Sequence, residues 1–420
     1  MRSPPCMFCE PHSPRVVGKV FVVLSTISLL STLGLSAPDL KDARPSERLD
    51  VRVAAAYGNE QDPSAGTLRK EGVDLGVIVS GAYNDNITLS SNAPVKDFVI
   101  RTTPSLAYIR GTAEASDGGY LKVAYKPTSV VYADHGSPNR VDHDAAWEVG
   151  LHGQKLAIAY GGRIQQLGEA TADAGQQADR LMLEQVVRTA WSATEKLSIE
   201  AAAGQSSADY QQRGLVDSSG AYGEAALRYT YSPKTRIGAA YRAGTFQVGG
   251  AGDQQIQRGA VRMEWKPREK IALDLEAGVE HRTYDSGSST KPVVEAKIGW
   301  TPRPGTEISL SGYRRTEASA FSVGQNYDTT GASIGISQKI GQKWSARVES
   351  GLENASYSQV SGTGTANRRD RIIFIRPSVR YQMTDDSQLE WFYRYERNQS
   401  NQSGFGFDNH IFGLQFGYQF

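Results

Sequence analysis

Disulfide chemistry is almost closed to this chain, whose 420 residues carry only two cysteines, Cys6 and Cys9. Their spacing resembles a metal or redox pair, but no second pair accompanies them, and they precede a segment that reads as removable. They are incidental on this reading. An excess of one charge is also missing. There are 46 Lys and Arg against 45 Asp and Glu, a net charge of +1, so no global field recruits nucleic acid or an anionic surface. Long apolar runs are scarce too, and hydrophobic residues make up 39% of the chain, too few for a helical membrane protein.

One run is long enough to cross a bilayer as a helix, Val16 to Ala37. It follows Arg15, contains Lys19, and ends on the small residues Ser36 and Ala37, so residues 1–37 read as a secretory signal. Leu35 and Pro38 fit a cleavage site poorly, which leaves an uncleaved anchor as the competing reading. Residues 38–72 are polar and charged without sustained period, and are expected to form a flexible periplasmic segment.

What the chain does have is Gly (43), Tyr (20) and alternation. At the C-terminus Phe412, Leu414, Phe416, Tyr418 and Phe420 take every second position, with Gly413, Gln415, Gly417 and Gln419 between them. A strand sends alternate side chains to opposite faces, so one face here is aromatic and the other small and polar. An uncovered aromatic stripe makes physical sense when its solvent is lipid. The same pattern recurs upstream, for example in Ile271, Leu273, Leu275, Ala277 and Val279 against Asp274, Glu276 and Glu280.

An aromatic residue followed by a turn signal recurs at Tyr125-Lys-Pro, Trp191, Tyr231-Ser-Pro, Trp265-Lys-Pro, Trp300-Thr-Pro and Tyr381. Over most of the chain the interval is roughly 35–43 residues, two strands plus one short and one long connection. Short turns are expected to alternate strictly with long connections at Asn84 to Lys96, Gly168 to Gln177, Gln211 to Ser218, Ser358 to Asn367 and Gln399 to Phe407. The fold expected is all-β: an antiparallel, up-and-down transmembrane β-barrel over residues 73–420, of about 18 strands, with 16 also admissible. Trp191, Tyr231, Trp265, Trp300, Trp344 and Tyr381 border the short turns and would form a ring at the periplasmic membrane interface. A soluble sandwich or propeller could bury the same stripes, but neither needs one-sided aromatic strand ends.

The chain resembles a family of Gram-negative outer-membrane proteins called putative β-barrel porin 2, some of them associated with exopolysaccharide gene clusters. The residues carrying the resemblance are Tyr83-Asn-Asp-Asn-Ile87, Asp97-Phe-Val-Ile100, Thr103-Pro-Ser-Leu-Ala107, the aromatic-Pro turns and Phe420. It spans roughly Val73 to Phe420 and implies passage through an outer-membrane pore. It also implies that Tyr418 and Phe420 are read by the barrel-assembly machinery during insertion.

If apolar residues face lipid, the intervening charges line the interior: Arg236, Arg242, Arg262, Glu264, Asp274, Glu276, Glu280, Glu295, Arg347, Glu349, Arg376, Arg380, Glu390 and Arg394. A Lys or Arg on the lipid face at mid-bilayer costs about 2–4 kcal/mol, which forces them inward. Both signs are present, so these residues either pair with one another or set a weak selectivity suited to saccharides. No enzymatic activity, cofactor or metal is expected. The histidines after the signal, His135, His143, His152, His281 and His410, form no Ser/His/Asp pattern. Asp134-His135 and Asp142-His-Asp144 read as a solvated acidic loop before a cation site. A passive saccharide channel is the leading expectation, and a plugged structural or adhesive barrel with ligand-binding loops is the alternative.

Overall fold

The computed structural model describes residues 71–111, 118–136, 139–249, 252–321, 325–359 and 367–420. The expected signal and nearly all of the polar segment after it lie outside these residues. The chain opens with β1 (Gly72–Asn84), β2 (Asp97–Arg110), β3 (Gly118–Tyr132), β4 (Arg140–His152) and β5 (Leu156–Leu167). A miniature hairpin follows, β6 (Ala170–Thr171) with β7 (Gln176–Gln177). Then come β8 (Arg180–Ser192), β9 (Leu197–Tyr210), β10 (Ser218–Ser232), β11 (Thr235–Val248), β12 (Gln254–Arg268) and β13 (Ile271–Tyr284). The remainder is β14 (Gly287–Arg303), β15 (Thr306–Ala318), β16 (Gln325–Ile340), β17 (Trp344–Gln359), β18 (Arg369–Gln382), β19 (Ser387–Ser400) and β20 (Phe407–Gln419).

All but β6 and β7 belong to one 18-stranded antiparallel sheet, with each strand beside its predecessor in the chain. The sheet closes where β20 pairs with β1, from Gly76↔Gln419 to Asn84↔Ile411, and the Phe420 amide donates to the Leu75 carbonyl at 2.9 Å. Closure leaves no free terminal edge, so most backbone groups are satisfied within the sheet, as a hydrocarbon solvent requires, with the external end of the β14–β15 ladder the place where pairing lapses. No helix occurs among the described residues.

Alternation along each strand separates two surfaces. Val73, Leu227, Val261, Phe412 and Phe420 stand exposed on the outside, the last two at 63% and 74%. A soluble protein would not carry an apolar belt around its whole circumference. The inward face carries the charges together with glycines that receive aromatic rings. A Cβ placed on Gly413 of β20 would fall 2.4 Å from the Phe392 ring of β19, which explains why that position is bare.

Three sequence expectations need correction. Tyr125-Lys126-Pro127 is no turn: it lies inside β3, where the β2–β3 ladder skips from Thr102↔Ser129 to Leu106↔Tyr125 beside Pro104 and Pro127. Proline has no N–H to give a ladder, so it can interrupt pairing without ending a strand. Short and long connections do not alternate strictly, because β13 and β14 are joined by Asp285 and Ser286 alone at the end that carries the long loops. Ser358, Gln399, Ser400 and Phe407 lie within strands, so two long connections are shorter than the Gly- and Ser-rich composition suggests.

Candidate functional site: the lumen

The wall is built by the two-residue period of the strands. On β10, Leu227 and Tyr229 point out, so Glu224 and Arg228 point in, and the same parity turns Arg236 and Arg242 of β11 and Arg258, Arg262 and Glu264 of β12 inward. Neighbouring strands then bring opposite charges side by side. Arg228 lies between Glu200 (3.0 Å) and Glu264 (3.8 Å), and Arg236 reaches Glu264 at 3.3 Å. Glu224 receives Arg242 at 2.8 Å and Arg262 at 2.7 Å. Arg262 continues to Glu276 at 2.8 Å, Arg258 bridges Glu276 (3.9 Å) and Glu280 (2.6 Å), and Arg282 ends the chain on Glu280 at 2.6 Å.

The other expected lumen residues share this inward face. Arg380 donates to Glu390 through Nε (2.9 Å) and Nη2 (2.7 Å), and Arg394 reaches Glu396 at 2.6 Å. Arg347 and Glu349 are farther apart at 3.7 Å, Glu295 meets Lys297 at 2.6 Å, and Arg376 stacks 5.5 Å over Phe392. Asp274 faces Glu264 and Lys297 across its two ladders. Glu200, Glu224, Arg228, Arg258 and Arg282 belong to the same network beyond the residues expected from sequence, and alternation around the outward Ile199, Leu227, Val261 and Val279 carries the signal for them.

A second part of the site comes from the β5–β8 connection. Its root is fixed by Arg180, which is fully buried and donates to the carbonyls of Glu169 (3.4 Å) and Ala178 (3.1 Å). The β6–β7 hairpin turns at Gly175, whose positive φ favours glycine, and which packs on Phe405 of the β19–β20 connection. Its tip is held by the far wall. The Asp173 carboxylate accepts from the Ser319 hydroxyl (2.9 Å) and the Ala320 amide (2.7 Å), both between β15 and β16. Arg368, between β17 and β18, donates to the carbonyls of Asp173 and Ala172, each at 2.8 Å.

Half-way round the ring from the β5–β8 junction lies the β16–β17 pair, so these contacts carry the hairpin across the mouth of the barrel. Ala170 and Ala172 of the hairpin pack with Leu89, Ile372 and Phe407 as a small apolar cluster. Arg368 is stacked 3.6 Å from the Phe405 centroid and 4.3 Å from that of Tyr357 while it pairs with Asp370. Burial pushes the Asp173 carboxyl above its ordinary range, against the pull of Arg368 and of hydrogen bonds from Ala320, Ser319 and Tyr357.

The expected interface aromatics stand on the outward face beside the short turns: Trp191, Tyr231, Trp265, Trp300 and Trp344 are exposed, and Tyr381 packs 4.6 Å from Trp344. Tyr418 and Phe420 meet edge to face at 4.9 Å next to the β1–β20 closure. The acidic loop expected from sequence is not one: Asp142, His143 and Asp144 lie within β4, and their side chains do not converge on a common point with Asp134 and His135. Asp142 pairs with Arg140 and Asp144 with Arg163, whereas His143 turns outward to Tyr125. His135 binds Asp97, which also accepts the amides of Ala133, Asp134 and His135.

A closed eighteen-stranded barrel with an apolar exterior and a polar interior can now be set beside known proteins. Residues 274–420 match the family described as Putative beta-barrel porin 2. The match covers β14 to β20 and most of β13, including Trp300-Thr-Pro and Phe420. The opening residues Tyr83 to Ala107, on which the sequence resemblance also rests, lie outside it. No curated protein matches the chain.

Among solved structures, OccAB4 of Acinetobacter baumannii shares 10% identity over 84% of this chain and 99% of its own, with a TM-score of 0.45. OpdK of Pseudomonas aeruginosa, crystallised with vanillate, shares 8% over 83% and 99%, at 0.46. OccK2 (OpdF) of the same organism shares 8% over 83% and 98%, at 0.47. The protein is a porin-like barrel of the outer membrane, its belt of exposed apolar side chains in contact with lipid.

Proposed function

We propose that the barrel is a passive channel for small, polar, largely uncharged solutes of saccharide size. The observation that carries this reading is the neutralisation of the wall. From β9 to β13 each luminal arginine lies against a glutamate, so the interior is rich in hydrogen-bonding groups yet weak in net field. Polyhydroxylated solutes exchange hydrogen bonds with such a wall, while ions of either sign find little preference. With its hairpin docked, the mouth suits a mono- or oligosaccharide better than an exopolysaccharide strand. Passage of a polymer requires the hairpin to leave the far wall. On the same reading the outward aromatics anchor the barrel at the periplasmic interface, and Tyr418 and Phe420 present the closing strand to the assembly machinery.

The alternative, a plugged structural barrel with binding loops, draws on the apolar cluster at the hairpin. Single-channel recording of the purified protein in a planar bilayer separates the two. Steady conductance of low ionic selectivity, reduced by added oligosaccharide, supports the channel. Silence from a correctly folded, heat-modifiable barrel refutes it and favours the plug.

A further inference from the structure

The β14–β15 ladder is incomplete at its external end. Pairing begins at Val294↔Arg314 and runs towards the short turn. Above it, Gly287 to Val293 keep their partners in β13, and Arg315 to Ala318 keep theirs in β16. Among the described residues no backbone pair joins these two segments. Pro292 supplies a cause, since it cannot donate to a ladder and is tolerated where a strand has a free side. Other strand prolines interrupt pairing only locally: the β18–β19 ladder resumes at Ser378↔Phe392 just past Pro377. Beside Pro292 it does not resume before the strand ends.

Side chains bridge the seam instead. Arg282 of β13 donates to the Thr316 carbonyl at 2.9 Å, and Lys291 of β14 reaches Asp328 of β16 at 2.7 Å. Behind the seam lies a cavity of about 130 Å³ whose lining includes the apolar Val216, Phe246, Ile256 and Val293 and the charged Arg258 and Arg282 with their partners Glu276 and Glu280. Val293 is inward and only 4% exposed, whereas Val294, which also lines the cavity, faces lipid. The partition between lumen and outer leaflet is therefore a single strand thick and lacks a backbone ladder on one side. Its volume approaches the roughly 150 Å³ that admits a benzene-sized ligand.

We infer that the β14–β15 seam is a lateral port, passing an amphipathic solute with a polar head and a short apolar portion between the luminal cavity and the outer leaflet. This rests on the porin-like reading but uses a different exit. Parting a complete ladder in hydrocarbon would strand backbone groups at several kcal/mol each, whereas here side-chain bridges such as Arg282–Thr316 and Lys291–Asp328 must move. The head would sit by Arg258 and Arg282 and the apolar portion against Phe246 and Val293.

The test uses the full chain carrying Val293→Cys, labelled with bimane and reconstituted in phosphatidylcholine vesicles containing a doxyl-labelled lipid. Val294→Cys serves as the lipid-facing reference and Ala240→Cys, buried and inward, as the luminal one. The port predicts quenching at position 293 at least twice that at 240, and its reduction at least twofold by octanoate. Quenching at 293 equal to that at 240, or unmoved by octanoate, overturns it. Conductance measured on the same samples keeps the two readings apart: an intact channel without lipid quenching at 293 refutes the port alone. Quenching in a silent barrel refutes the open channel alone.

Discussion

The docked hairpin gives the sharpest prediction. Replacing Arg368 with Met removes two charge-assisted hydrogen bonds to the Ala172 and Asp173 carbonyls while keeping the volume between Phe405 and Tyr357. Asp370 would be left buried without its partner, so Asp370→Asn is made in the same chain to avoid an uncompensated charge. Each lost bond to a charged donor contributes roughly 1.5–3 kcal/mol, giving roughly 3–6 kcal/mol for the two. At about 1.4 kcal/mol per tenfold, the undocked population rises by about 10²- to 10⁴-fold. Two assays read this. Single-channel conductance should rise and long closed periods shorten. In an Ala174→Cys background, where the reporter is 3% exposed, labelling by a bulky impermeant maleimide should accelerate by a similar factor. The barrel should remain heat-modifiable, because no backbone ladder bond of the wall is lost. Conductance and labelling both indistinguishable from the parent would refute the claim that Arg368 holds the hairpin.

Acidification should lower conductance. The raised Asp173 carboxyl means that the docked hairpin binds a proton more readily than the free one, so docking is favoured below the ordinary carboxylate range and weakens as pH rises through the raised value. Asp173→Asn should flatten that profile, and conductance that climbs on acidification would contradict the assignment. Arg380→Glu places a second carboxylate beside Glu390 and should make the channel cation-preferring by roughly fivefold, from about 1 kcal/mol for adjacent charges in water, read as a reversal potential. Gly413→Val should cost about 1–3 kcal/mol through the clash with Phe392 and Ala82 and reduce the heat-modifiable fraction on a gel. Gly299→Ala, with open space around its Cβ, should leave that fraction unchanged.

The sequence by itself determined the wall. A period of two decides which side chains share a face, and an apolar stripe such as Phe412 to Phe420 has only one partner in a chain that leaves it uncovered. Barrel class, approximate strand number, the inward course of the charges and the outward aromatics all follow from that local rule. Local composition misled where it stood for geometry. Tyr125-Lys-Pro has the wording of a turn but sits in β3, because two facing prolines can drop ladder bonds without bending the chain. The two-residue Asp285-Ser286 link interrupts the expected alternation for a similar reason, since loop length is not set by strand period.

What only the tertiary structure decided is what happens across the lumen. Asp173 meets Ser319 and Arg368 through contacts between residues more than a hundred positions apart, and no periodicity along one strand encodes that meeting. The pairing of Glu224 with both Arg242 and Arg262 depends on the register of three strands, and the β14–β15 seam on a ladder that fails to resume beyond Pro292. Alternation is a property of each strand alone. Register, closure and the docking of a hairpin on the opposite wall are properties of strands brought together.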